Sequence, residues 1–185
     1  LSSLTLALVA PVCAKSPAAQ SFISDPYKVR FADAYYFSLK SGDSAKLMAS
    51  DLTSKGTKST PFAFHSLGSM VSLGDSLIFA ADQGKGSELY RFCPNDKDSK
   101  PRLIKDLVAD GSSSPRELTV LGEQAFFSAS DGKRRELYVF DGKNDSVSTV
   151  AATHKITVPA DPVNLTVVGN KLFFSAGEAE EVKKG

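Results

Sequence analysis

The chain is predicted to be all-β, a propeller-like array of four-stranded antiparallel blades. It holds roughly three and a half blades and is taken as a fragment of a larger propeller. Three observations lead there. A hydrophobic doublet followed by a small residue recurs as Tyr36-Phe37-Ser38, Ile78-Phe79-Ala80, Phe126-Phe127-Ser128 and Phe173-Phe174-Ser175, with the second members 42, 48 and 47 residues apart. A Gly-polar pair precedes three of these doublets: Gly74-Asp75, Gly122-Glu123 and Gly169-Asn170. A Glu-Leu-Tyr triplet follows two of them, Glu88-Leu89-Tyr90 and Glu136-Leu137-Tyr138, where the first copy has the divergent Lys46-Leu47-Met48.

The elements follow in chain order. Residues 1–14 are expected to be part of a secretory signal. Leu4 to Ala10 form an apolar run broken by Pro11, and Val12 and Ala14 suit a cut before Lys15. The run is too short to span a bilayer, so no transmembrane segment is expected. A first β-strand and a lipid anchor on Cys13 are the other readings of this stretch. Residues 15–26 are a linker, and the blades then span about 27–65, 66–114, 115–161 and 162–185, the last incomplete.

The third copy shows the pattern best. Leu118–Leu121 is its first strand, and Gly122-Glu123 a tight turn, because glycine accepts the positive φ of two-residue hairpins. Gln124–Ser130 is almost continuously apolar, as in a strand covered on both faces. Asp131-Gly132 turns the chain into a third strand, Arg135–Phe140, with Leu137 and Val139 alternating against Glu136, Tyr138 and Phe140. Asp141-Gly142 is the next turn, and Val147–Ala151 the fourth strand. Polar or Pro-rich links, Asp110–Pro115 and Pro159–Pro162, lead into the next copies. A single blade cannot bury both its faces, so neighbours must stack on it. A β-sandwich or barrel is the competing architecture, but it does not explain one turn recurring at one place in each period. Closure typically takes four to eight blades, so the remaining blades are expected outside this chain; an open arc would leave a face and strand edges unpaired.

The stretch Ser112-Ser113-Ser114-Pro115, the strand Asn164-Leu165-Thr166-Val167-Val168, the segment Phe126-Phe127-Ser128-Ala129 and Glu136-Leu137-Tyr138 with Asp141-Gly142 together resemble the ELWxxDGT repeat, a hyalin-like repeat of large exported bacterial proteins. The resemblance covers about residues 66–176, with a weaker trace from Tyr27. Tyr stands where the repeat has Trp, Cys93-Pro94-Asn95 replaces the Asp-Gly after the second copy's triplet, and Lys143 replaces the closing Thr. The resemblance implies an exported, propeller-like repeat protein.

Composition narrows the function classes. Net charge is +1 over 185 residues, so nothing points to nucleic acid. His65 and His154 are the only histidines, and neither sits in a catalytic or zinc-binding spacing. They are expected at loops or strand edges. Asp82, Asp106, Asp110, Asp131 and Asp141 fall near turns; Asp-Gly is chiefly a turn signal, although such loops can hold calcium. Asp96–Lys100 lacks the calcium-loop spacing. No metal or cofactor is therefore expected. The sequons at Asn144 and Asn164 matter only in a eukaryotic secretory route. With the signal removed, Cys93 stands alone and is a buried apolar residue, a free thiol, or half of a bridge to a partner outside this chain.

Glu88 and Glu136 could act as ring-arranged carboxylates, but a residue repeated in each blade usually answers a repeated structural need. Backbone groups, Arg134, Arg135 and Arg116 are the expected partners. The same holds for the other motif residues, Gly74, Phe79, Leu89, Tyr90, Gly122, Phe126, Phe127, Leu137, Tyr138, Asp141, Gly142, Gly169, Phe173 and Phe174. The function expected is a non-enzymatic, secreted, cell-surface or periplasmic scaffold that binds a protein or glycan. The alternative is a fragment of a propeller hydrolase acting on sugars, with its catalytic residues elsewhere.

Overall fold

A computed structural model describes residues 28–97, 99–154 and 160–177. The expected signal segment, the linker and the end of the fourth copy lie outside the described residues, as do Asp98 and Pro159.

The fold is all-β, with four antiparallel sheets. The first holds β1 (Lys28–Phe31), β2 (Ala34–Ser41), β3 (Ser44–Ser50) and β4 (Lys58–Phe64). The second holds β5 (Ser66–Leu73), β6 (Ser76–Asp82), β7 (Ser87–Phe92) and β8 (Arg102–Lys105). The third holds β9 (Arg116–Leu121), β10 (Gln124–Ser130), β11 (Arg135–Asp141) and β12 (Ser146–Thr149). The fourth pairs β13 (Val163–Val168) with β14 (Lys171–Ser175). Within every sheet the strands lie in sequence order, each hydrogen-bonded to the next. The four doublets fall on the second strand of each sheet: β2, β6, β10 and β14.

Alternation along a strand sends the two members of a doublet to opposite faces. Ile78 joins a core with Phe127, Tyr138 and Phe140 of the third sheet, while Phe79 joins one with Tyr36, Leu47 and Phe64 of the first. Phe127 thus faces the second sheet, and Phe126 meets Leu165 and Phe174 of the fourth. Three cores alternate with four sheets, so β6 and β10 are buried on both faces, as their unbroken apolar character predicts. The third strand obeys the same division: Leu137 and Val139 face the fourth sheet, Tyr138 and Phe140 the second. The repeated tyrosines stack on the doublet's second ring across the strand pair. Phe79 lies 6.1 Å from Tyr90 and Phe127 lies 5.6 Å from Tyr138, the rings within about 21° of parallel.

The hairpin glycines sit where expected. Gly74, Gly122 and Gly169 adopt φ of 55°, 63° and 61° between the first and second strands. The first copy makes the same turn with Ala32 at φ 50°, a conformation disfavoured for a residue with a Cβ.

The end of the third sheet differs from expectation. The last strand of the third sheet stops at Thr149, and Val150–His154 form a helical turn, α1. Thr149 Oγ1 accepts the Ala152 N–H at 3.2 Å as an N-cap, and Val150 drops into the core beside Leu165. His154 therefore lies on this helix, its Nδ1 2.9 Å from Thr153 Oγ1, and not on a loop or strand edge. The expected turn at Asp141-Gly142 is present and runs over residues 142–145. Asp141 closes β11, its carboxylate accepts the N–H groups of Lys143 and Asn144, and the positive φ falls on Asp145. Gly142 is required for another reason: a Cβ there would lie 2.9 Å from Leu73 Cδ2 of the neighbouring sheet.

Candidate functional site

The repeated polar residues are engaged at the sheet junctions. Glu88, 5% exposed at the start of β7, accepts the Ser113 N–H at 2.7 Å and the Ser113 hydroxyl at 2.5 Å. It thereby pins the Ser-rich link to the third sheet. Around it, Ser114 N donates to Ser87 O and Ser130 N to Ser113 O. The next junction repeats the backbone part, with Asp161 N on Arg135 O and Gly177 N on Ala160 O. It lacks the side-chain part because Ala160 stands where Ser113 stands, and Glu136 pairs with Arg134 instead. Of the other expected cations, Arg135 Nη1 donates to the carbonyls of Ser114 and Ser128, both at 3.0 Å. Burial, then the nearby Arg116, lowers the Arg135 pKa.

The first strands of successive sheets are joined by another recurring bond. A β-bulge in β5, β9 and β13 breaks the register near the strand start. At that level Ser69 Oγ accepts the Leu118 N–H, and one sheet on Glu117 Oε2 accepts the Leu165 N–H at 3.0 Å. Thr119 Oγ1 adds a bond to Leu165 O. On the far side of the second and third sheets, Asp145 takes Arg91 and Arg102 at 3.2 and 2.7 Å.

The Asp-rich turns are held by their own backbone. Asp131 accepts the N–H groups of Arg134 and Lys133, which lower its carboxyl pKa. Asp141 is lowered in the same way by Asn144 and Lys143. Asp82 Oδ1 accepts Gly84 N and Gly86 N. No group of three or more His, Cys, Asp or Glu among the described residues could hold a metal. Cys93, buried after β7, is held in a disulfide and is not the free thiol that was one of its expected states.

An open cleft of about 660 Å³ lies between the first two sheets. Asp43 reaches it from the turn between β2 and β3, Ser44 from the start of β3, Ala63 and Phe64 from β4, His65 from the crossing to β5, and Gln83 from just after β6. Phe64 forms a buried apolar floor; Asp43, His65 and Gln83 are exposed on the rim. Gln83 Oε1 accepts a long bond from the Tyr90 hydroxyl, and burial raises that tyrosine's pKa. The His65 ring lies against Gly84, where a Cβ would sit 3.1 Å from Cε1. A carboxylate, a hydroxyl, an imidazole and a carboxamide around an aromatic floor suit a ligand rich in hydroxyl or amide groups. Sequence reasoning treated His65 as structural and did not single out Asp43, Ser44 or Gln83. The usable signal was departure from the repeat: His65 stands where later copies have Ser113 and Ala160, and Gln83 where the third has Asp131.

Fold and junctions together define an all-β repeat protein of stacked antiparallel sheets. No protein-family model matches the chain, and no curated protein matches it. No helix among the described residues is long and apolar enough to cross a membrane.

Proposed function

We propose that the chain is a non-enzymatic, exported repeat scaffold of the ELWxxDGT kind. Its sheets are blades of a propeller-like array, and it binds a protein or glycan through the cleft between its first two sheets. The observation that carries this reading is where the repeated residues go. Glu88 and Glu136, which repeat, are committed to inter-sheet or turn hydrogen bonds, while His65 and Gln83, which depart from the repeat, lie at the cleft rim. The first strands, β1, β5, β9 and β13, lie side by side in succession, as the inner strands of propeller blades do.

The test is binding of the purified chain to a panel of immobilised polysaccharides and envelope-protein fractions. Asp43→Ala and Gln83→Ala variants are expected to lose the retained ligand. Absence of retention on every surface, together with turnover of chromogenic glycosides, would replace the scaffold with a hydrolase. Cell fractionation checks export: the mature chain belongs in the medium or periplasmic extract, and an intact cytosolic chain refutes it. Non-reducing intact mass then shows what Cys93 bridges to, because Cys13 is the only other cysteine in the sequence.

A further inference from the structure

The cleft between the first two sheets lies where the link between sheets is shortest. A single residue, His65, joins β4 to β5, whereas residues 106–115 join β8 to β9. In the second junction the longer link fills the space between two turns. A Cβ on Gly86, between β6 and β7, would stand 2.1 Å from the Gly111 carbonyl oxygen. A Cβ on Gly132, between β10 and β11, would lie 3.5 Å from Val108 Cγ1. The counterparts of these glycines in the first junction are Ser44 and Gly84. Ser44 lines the open cleft, and what a Cβ on Gly84 would meet is the His65 ring. One junction therefore packs this space with the protein's own chain, and the other leaves it open.

The open space is bordered by negative charge. Asp43 stands on its rim. Behind Gln83 lies the Tyr90 hydroxyl, whose pKa is raised by burial and then by Glu88, Asp82 and Asp106. At the matching Tyr138, Arg134 opposes the effect of Glu136 and Asp131. Asp43, Asp82, Glu88 and Asp106 make no ion pair among the described residues. The adjoining cations Lys40 and Lys85 are exposed and pair with none of them.

We infer that the cleft receives a peptide segment of a partner protein, with a lysine or arginine of that segment meeting Asp43. The inference rests on the ligand-binding role of the cleft proposed above. It selects polypeptide over glycan because polypeptide occupies the matching space one junction on. It selects a basic side chain because the carboxylates about the cleft favour a cation.

A random peptide library displayed on phage tests it. The library is selected on the immobilised chain and counter-selected on an Asp43→Ala, Gln83→Ala double variant. Enriched peptides are expected to share a lysine or arginine, and to bind the purified chain in isothermal titration calorimetry. Asp43→Asn keeps the shape of the rim and removes its charge; it is expected to weaken binding at least about tenfold and to reduce the salt dependence of affinity. Asp33→Asn, in the turn at the other end of the first sheet, is expected to change nothing. Circular dichroism checks that each variant folds. If no peptide is enriched while a polysaccharide is retained through Asp43 and Gln83, the cleft is a glycan site and this inference fails alone. If neither peptide nor polysaccharide is retained, the cleft reading fails with it. Enriched peptides that lack a basic residue, or that bind Asp43→Asn undiminished, also overturn the inference.

Discussion

Removing the Glu88 carboxylate tests whether equivalent residues in a repeat have equivalent weight. Glu88→Ala strips the acceptor from the Ser113 N–H and hydroxyl, both on a residue 0% exposed. A hydrogen bond to a charged group contributes about 1.5–3 kcal/mol, and a buried donor left unpaired costs about 1–3 kcal/mol. These terms overlap, because the lost bond and the stranded donor are one event, so about 3 kcal/mol is expected. Ser113→Ala removes one of the two bonds and is expected to cost about 1–2 kcal/mol, with a coupling of similar size in the double mutant. Glu136, at the matching position, pairs with the exposed Arg134 side chain. Glu136→Ala should cost no more than about 0.5–1 kcal/mol. Urea unfolding followed by far-UV circular dichroism and tyrosine fluorescence measures all four variants, the midpoint moving at unchanged slope. Equal costs at Glu88 and Glu136, or no coupling between Glu88 and Ser113, would refute the junction argument.

Ala32→Gly relieves a positive φ that the other three copies meet with glycine, and is expected to stabilise the first sheet by about 0.5–1 kcal/mol in the same urea assay. Gly142→Ala places a methyl 2.9 Å from Leu73 and 3.2 Å from Glu123 O, and is expected to cost about 1–2 kcal/mol, with Leu73→Ala partly restoring stability in the double mutant. Acid titration of stability follows from Asp131 and Asp141. Both folded pKa values are depressed, so their contribution is full above the ordinary Asp range near about pH 4 and is lost as pH falls through the folded values. Asp131→Asn and Asp141→Asn variants, compared by thermal unfolding at neutral and acid pH, are expected to flatten that loss. An unchanged pH profile would show that the turn hydrogen bonds carry no such linkage.

The sequence by itself determined the strand count per copy, the place of the hairpin turns and, in the second and third copies, the burial of both doublet faces. These follow from a period of two along each strand and from glycine's tolerance of positive φ, both local properties that repeat with the chain. It also assigned the repeated glutamates to structural work, but could not distinguish Glu88, bonded to Ser113, from Glu136, bonded to Arg134. That difference depends on which residue the next link brings alongside, 25 positions from Glu88. The end of β12 was mislocated because Val150 and Ala151 suit strand and helix alike, and a Thr149 cap and a core vacancy beside Leu165 settle the matter in three dimensions. Departure from the repeat marked His65 and Gln83, but their meeting with Asp43 at one cleft belonged to tertiary structure. Its residues come from three connections on two sheets, and no local pattern links them until the sheets are stacked.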